Sequence, residues 1–139
     1  MRFSLSHSSV KKVRISSHAP CCFSGEDFAL IDQQAFLSTL IGRFGNRICK
    51  GQFTLNGKEY QLAINNGPNH LHGGPTGFHS KVWDARQMGP RSLALHRVSS
   101  YGEEGYTGEL DVTVEYTFTD QNELVIEYLA TTNKKTIVN

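Results

Sequence analysis

Apolar and polar residues alternate most strictly in the last third of the chain, where Leu110, Val112, Val114, Tyr116 and Phe118 are interleaved with Glu109, Asp111, Thr113, Glu115, Thr117 and Thr119. A period of two is that of a strand with one buried face. After Asp120-Gln121-Asn122 the alternation resumes at Leu124, Ile126, Tyr128 and Ala130, so the two runs are expected to pair as an antiparallel hairpin. Residues 82–88 and 93–98, split by Gly89-Pro90, form a second hairpin. Residues 52–55 and 58–64 form a third, joined by Asn56-Gly57, a dipeptide that tolerates the positive φ angles of a type I′ turn. Residues 29–40 have helix-compatible apolar spacing at Ile31, Ala35 and Leu37. Three hairpins and no convincing long helix predict an all-β antiparallel architecture, and no internal repeat is visible.

Between the first hairpin and Gly77 the pattern breaks. Gly67, Gly73, Gly74, Gly77, Pro68 and Pro75 are too many breakers for a helix or a central strand, so His70 and His72 are expected on a constrained loop. Loops held by a rigid β scaffold commonly carry binding side chains, and imidazole titrates near neutrality. Arg43 and Arg47 enter the hairpin beside this loop, and the density of amides, arginines and histidines suits recognition of a sugar.

Composition narrows the reading. The 139 residues are 38% apolar and 19% charged with a net charge of +1, ordinary for one globular domain and without a case for nucleic acid. No apolar run approaches a membrane span. Three cysteines, two of them adjacent at Cys21-Cys22, make no disulfide framework, and no Asn-x-Ser/Thr acceptor occurs, so a reducing compartment, the cytoplasm, is expected. Residues 1–25 hold four basic and no acidic residues, leaving ten basic against thirteen acidic residues beyond them. This Ser-rich, acid-free stretch fits an organellar transit peptide, which would imply import, and equally an altered gene model. Residues 1–39 are accordingly expected to be irregular and poorly ordered, and 40–139 to form the domain.

Motifs along the domain support a more specific identification. Gly42-Arg43 is followed by Asn46-Arg47-Ile48, Lys50-Gly51-Gln52-Phe53 and Leu55-Asn56-Gly57-Lys58-Glu59-Tyr60. Pro68, Asn69, Leu71-His72-Gly73-Gly74, Gly77-Phe78 and Trp83 come next. Gly102-Glu103-Glu104-Gly105-Tyr106 and Gly108-Glu109-Leu110 close the series. In this order and spacing the chain resembles the galactose mutarotase (aldose 1-epimerase) family from about Leu40 to Asn139.

The resemblance implies a β-sandwich isomerase that interconverts the α and β anomers of free aldohexoses such as galactose or glucose. It assigns Asn46 and Arg47 to sugar hydroxyls and His72 to the anomeric end of the ring. The implied chemistry is ring opening by a carboxylate base and a second histidine as acid, with no metal and no organic cofactor. A full family member is about twice this length. The Thr-Asn-His run carrying that histidine, and the carboxylate, are expected beyond Asn139, so the resemblance implies a partial, truncated domain with no catalytic residue of its own. The alternatives are a carbohydrate-binding module without catalysis and, third, a metal-binding β-barrel using His70 and His72. The sibling group acting on phosphorylated hexoses fits less well, because no added cationic cluster is present.

Each residue also has a plainer reading. Arg43 and Arg47, four apart, read in isolation as solvated surface charges. The His70-x-His72 spacing suits a metal on an extended segment, but no carboxylate or third histidine follows at a supporting spacing. His79 and His96 read as ordinary loop and strand residues, and Trp83 as core. Glu103 and Glu104 are adjacent and should point to opposite faces, which makes them a poor glycosidase pair. An incomplete sandwich should expose the face led by Leu110 to Phe118 and self-associate through it.

Overall fold

The computed structural model describes residues 39–139, together with the backbone of two earlier strands at residues 3–5 and 9–15. The strands are β1 (Phe3–Leu5), β2 (Ser9–Ile15), β3 (Arg47–Ile48), β4 (Gln52–Leu55), β5 (Lys58–Gln61), β6 (His70–Leu71), β7 (Asp84–Gly89), β8 (Ser92–Ser99), β9 (Leu110–Phe118), β10 (Leu124–Thr132) and β11 (Thr136–Val138). A five-stranded antiparallel sheet runs in the order β2-β10-β9-β8-β7, and three two-stranded ribbons, β1-β11, β3-β6 and β4-β5, surround it. The architecture is all-β and antiparallel, as the alternation predicts. Within the segment expected to be irregular, β2 pairs along β10 from Leu124↔Ile15 to Ala130↔Ser9. The helix-compatible stretch at 29–40 lies outside the described residues except for Thr39 and Leu40, which are not helical.

All three expected hairpins form. Phe118↔Leu124 and Leu110↔Thr132 bound the β9-β10 register, which places Ile126, Tyr128 and Ala130 on the same face as Tyr116, Val114 and Val112. Asn56 and Gly57 both have positive φ, 52° and 76°, as a type I′ turn requires. The first hairpin ends at Gln61 rather than at residue 64. Leu62 turns its N–H to the Gly51 carbonyl (2.8 Å) and Ala63 its N–H to the Glu104 carbonyl (3.0 Å), so the chain leaves the ribbon to bury Leu62.

Two cores result. Leu110, Val112 and Val114 on the main sheet are buried against Leu40 and Phe78, flanked by Trp83, Leu95, Tyr128 and Val138. Trp83 is thus a core residue, edge-on to Phe78 with its indole N–H on the Phe78 carbonyl at 3.3 Å. Ile48, Leu62 and Tyr106 form the second core beneath the small ribbons, with Phe44, Phe53 and Ile137.

The sheet face is therefore largely covered by segments of this same chain, and the expected exposure is confined to its far end. There Leu93, Phe118 and Leu124 are 40%, 48% and 36% exposed. They line a groove of about 320 Å³ with Tyr116 and Pro90. Among the described residues no helix is long and apolar enough to cross a membrane. Exposed apolar patches of this kind favour association. Sedimentation velocity should show mass rising with protein concentration, and Phe118→Lys should suppress that rise while moving stability by no more than about 0.5 kcal/mol. A concentration-independent monomer would contradict the expectation.

Candidate functional site

The site begins where β3 and β6 pair. This ribbon is only two residue pairs long, Arg47↔Leu71 and Ile48↔His70. It is extended by a reciprocal pair of bonds one residue further. The His72 N–H donates to the Asn46 carbonyl at 3.1 Å, and the Asn46 N–H donates to His72 Nδ1 at 3.0 Å. Because a backbone N–H can only donate, Nδ1 must be the acceptor, and the neutral ring carries its hydrogen on Nε2. Burial, and then the adjacent Arg47 charge, lower the His72 pKa from its ordinary 6.5. At neutral pH His72 is thus an uncharged imidazole with an Nε2–H donor.

Asn46 and His72 both sit at positive φ, 67° and 51°. Asparagine tolerates this region; for histidine it stores strain of order 1–3 kcal/mol, which persists only where neighbours over-determine the backbone. The neighbours are visible. A Cβ on Gly73 would fall on the Gly42 carbonyl, and one on Gly74 on the Glu104 carboxylate, so the chain after His72 approaches both closer than any side chain allows. Asn65 grips Leu71 from both sides, accepting its N–H at 2.7 Å and donating to its carbonyl at 2.9 Å. Asn66 Oδ1 accepts from Arg47 Nε at 2.8 Å, while the Arg47 Nη nitrogens make no hydrogen bond to the described residues. Asn46 and Arg47 are exposed and His72 half-buried. The three residues expected to contact a sugar are therefore brought together on one rim.

Behind the rim lies a buried polar layer that the sequence reading largely missed. Arg43, read in isolation as a surface charge, is 3% exposed. Its Nε donates to Ser99 Oγ (2.9 Å), Nη1 to the carbonyls of Thr107 (3.1 Å) and Gly108 (2.7 Å), and Nη2 to those of Ser99 (2.6 Å) and Ser100 (2.8 Å). Burial lowers its pKa to about 10, which leaves it charged at neutral pH. His70 is wholly buried. Its Nδ1–H donates to the Ala63 carbonyl at 2.6 Å, which leaves Nε2 to accept from the Tyr106 hydroxyl, also at 2.6 Å. Burial lowers the His70 pKa and raises that of Tyr106.

Glu103 and Glu104 do point apart. Glu103 takes both its oxygens to Arg97 Nη2 (2.9 and 3.0 Å), with Lys81 Nζ at 3.1 Å and the Ser99 hydroxyl also donating to it. Burial opposes ionisation of Glu103, but its hydrogen bonds from Ser99 and Lys81, with the Arg97 charge, together lower its pKa. Glu104 accepts the N–H of Thr76 at 2.9 Å and the Thr76 hydroxyl, tying down the loop that follows His72.

The His70 geometry also disposes of the His-x-His metal reading. With φ of 51° His72 departs from the extended segment that the His-x-His spacing assumes, and both His70 nitrogens are engaged within the protein. Among the described residues no group of three or more His, Cys, Asp or Glu side chains is placed to hold a metal. His96 is a strand residue bonded to Asp111 at 3.1 Å. His79 lies in a short turn, where burial and then the nearby His72 lower its pKa. The signal for the buried layer was in the sequence, in Arg43 and in the Gly-flanked Glu-Glu-Gly-Tyr run, but nothing local marks such residues as interior.

Two outcomes are expected. Arg43→Lys keeps the charge but loses the planar fork, and should cost about 3 kcal/mol or more in urea unfolding, because several buried carbonyls lose their donor. His70, His72 and His79 all titrate below their ordinary value, so the unfolded chain binds their protons more readily. Their stabilisation is complete above about pH 6.5 and falls as pH drops through that value towards the lowered folded values. The urea midpoint should decline from pH 7 to pH 5, and His70→Gln should flatten part of that decline; a flat wild-type profile would contradict the lowered values. Loss of the Glu103 contribution belongs to a separate window, below about pH 4.5.

Comparison with known proteins places the chain in a family. The family model for aldose 1-epimerase matches residues 12–139, reaching well ahead of the Leu40 at which the motifs begin. Galactose mutarotase of Bos taurus is 50% identical over 109 residues, 78% of this chain and 31% of that protein. Its Homo sapiens counterpart is 46% identical over the same shares. Aldose 1-epimerase of Escherichia coli (strain K12) is 36% identical over 138 residues, 99% of this chain and 38% of that protein. The crystal structure of galactose 1-epimerase from Lactobacillus acidophilus NCFM superposes with a TM-score of 0.70 at 30% identity, over 83% of this chain and 35% of that one. The chain thus covers between 31% and 38% of the relatives it matches, which are more than twice its length, and it belongs to the aldose 1-epimerase family.

Proposed function

We propose that this chain serves aldose 1-epimerase chemistry by binding a free aldohexose such as galactose through Asn46, Arg47 and His72. The observation that carries the reading is the reciprocal bonding of Asn46 and His72, which sets a carboxamide, a guanidinium and an Nε2–H imidazole on one rim. A sugar ring presents hydroxyls that both donate and accept. The carboxamide can do either, and Arg47 and His72 supply donors. The names of the mammalian relatives, galactose mutarotase, support a free hexose as ligand. The exposed thiol of Cys49 supports a reducing compartment such as the cytoplasm.

Anomerisation through the open chain needs a base at the C1 hydroxyl and an acid at the ring oxygen in one site. Arg47 and Asn46 supply hydrogen bonds, and His72 can fill one of the two roles. Each proton-transfer partner contributes about 10²- to 10⁴-fold of rate. Asn46, Arg47 and His72 by themselves are therefore expected to bind sugar and to turn it over poorly. Polarimetry of α-D-galactose should show a rate equal to buffer, while a titration followed by ligand-observed NMR shows binding that Arg47→Ala weakens about tenfold, the scale of one charge-assisted hydrogen bond. A rate above buffer that His72→Ala abolishes would show that an acid and a base are assembled here after all. Absence of sugar binding would sink the assignment of the three residues.

A further inference from the structure

Residues 65–69 form a loop stitched to both strands of the β3-β6 ribbon. Asn65 holds Leu71 by its N–H and its carbonyl, and Asn69 Oδ1 accepts the Lys50 N–H at 3.2 Å, just past β3. Within the loop Asn66 and Asn69 exchange main-chain bonds, each N–H donating to the other's carbonyl at 3.0 Å. The turn is therefore closed by backbone alone, and Asn66 is not among the residues at positive φ, so an alanine would fit the same fold. Its side chain does something that the turn does not need. Asn66 Oδ1 accepts from Arg47 Nε at 2.8 Å, across 19 positions of sequence. An Nε–H can only donate, so the oxygen of the carboxamide is the atom that faces it.

We propose that Asn66 is a positioning residue of the sugar site, its carboxamide oxygen holding the Arg47 guanidinium in one orientation with the two Nη nitrogens left for the ligand. The proposal rests on the reading of Arg47 as sugar-binding. Arg47 is exposed, and an exposed arginine samples many rotamers, so a ligand that recruits it must order it. Here the ordering is done before the ligand arrives. The acceptor sits on a short side chain, and the loop that carries it is fixed to Leu71, the ladder partner of Arg47, and to Lys50, three residues beyond Arg47. A bond from a charged guanidinium is stronger than one between neutral groups. A guanidinium can take a pair of oxygens along its side edge, through Nε and one Nη, or along its terminal edge, through both Nη. With Nε spent on Asn66 the terminal edge remains, and its nitrogens make no hydrogen bond to the described residues. Asn66 thereby selects which edge of Arg47 the sugar meets.

The test reads the arginine Nε–H groups of the full chain by ¹H–¹⁵N spectra without ligand, the Arg47 signal being identified by its loss in Arg47→Lys. In wild type that hydrogen should exchange slowly with solvent and resonate away from free guanidinium groups. Asn66→Ala should return it to the free position with fast exchange, and Asn66→Asp, which keeps an oxygen acceptor, should restore the wild-type behaviour. If Asn66 serves only the turn, Asn66→Ala lowers the urea midpoint while the Arg47 signal is the same as in wild type, and that result overturns the proposal. A double-mutant cycle in galactose affinity tests the route of the effect. Asn66→Ala should weaken binding about fivefold, the scale of ordering one long side chain, and should cost nothing further in Arg47→Ala. An equal loss in both backgrounds means that Asn66 acts without Arg47 and overturns the proposal equally. Galactose titration of wild type is scored separately: no binding defeats the sugar reading, whereas the Nε–H signal of the free protein still decides whether Asn66 holds Arg47.

Discussion

The buried guanidinium of Arg43 is the constraint around which the rest of the site is arranged. A charge at 3% exposure is tolerable only if its donors are met, and here five hydrogen bonds meet them, to one hydroxyl and four backbone carbonyls. All five acceptors belong to Ser99, Ser100, Thr107 and Gly108, so a single side chain closes the loop between β8 and β9 onto the segment that leads to Asn46 and Arg47. The same loop carries Glu103, Glu104 and Tyr106, which bind the Lys81–Arg97 side, the Thr76 loop and His70. An apolar residue in place of Arg43 could fill the space but could not answer four carbonyls.

This arrangement explains how so short a ribbon as β3-β6 holds a site. Two ladder pairs would be marginal alone. The ribbon is instead fixed from behind by the Arg43 layer and from beside by the asparagines, Asn65 on Leu71 and Asn66 on Arg47. Over-determination from several directions is what lets Asn46 and His72 keep left-handed backbone, and those two conformations turn the chain so that their reciprocal bonds form. Stability and site geometry are thus the same interactions seen from two sides.

How much of this the sequence revealed follows from how far each signal reaches. Leu110 to Phe118 alternate over nine residues, so the long hairpin was plain, and Asn56-Gly57 announced its turn with equal clarity. The ordered motifs picked out Asn46, Arg47 and His72, which the fold brings together. Arg43 was misjudged because burial of a charge is decided by residues 56 to 65 positions away, and no local pattern carries that information. His70 was offered to a metal for the same reason, since its partner Tyr106 is 36 positions downstream. β2 was overlooked because Lys11-Lys12 interrupts the period of two in Ser9–Ile15, and pairing with β10 is a long-range fact. The covered face of β9 was taken as open because Leu40, Phe78 and Val138, which lie on it, come from three separate places in the chain.

The electrostatics of the rim follow from the same packing and bear on what the site can recognise. The Arg47 charge lowers the His72 pKa, and a positive charge on His72 beside it would be repelled and would also have to expel the Asn46 N–H from Nδ1. Tautomer and neutrality therefore reinforce each other: the bond that fixes the hydrogen on Nε2 is the bond that protonation would break. The rim then carries one cation, one neutral donor and one carboxamide, without the cationic cluster that a phosphate would call for. A neutral polyol, recognised by direction of hydrogen bonds rather than by charge, is the ligand we propose for such a surface. That preference is set by buried residues that never touch it.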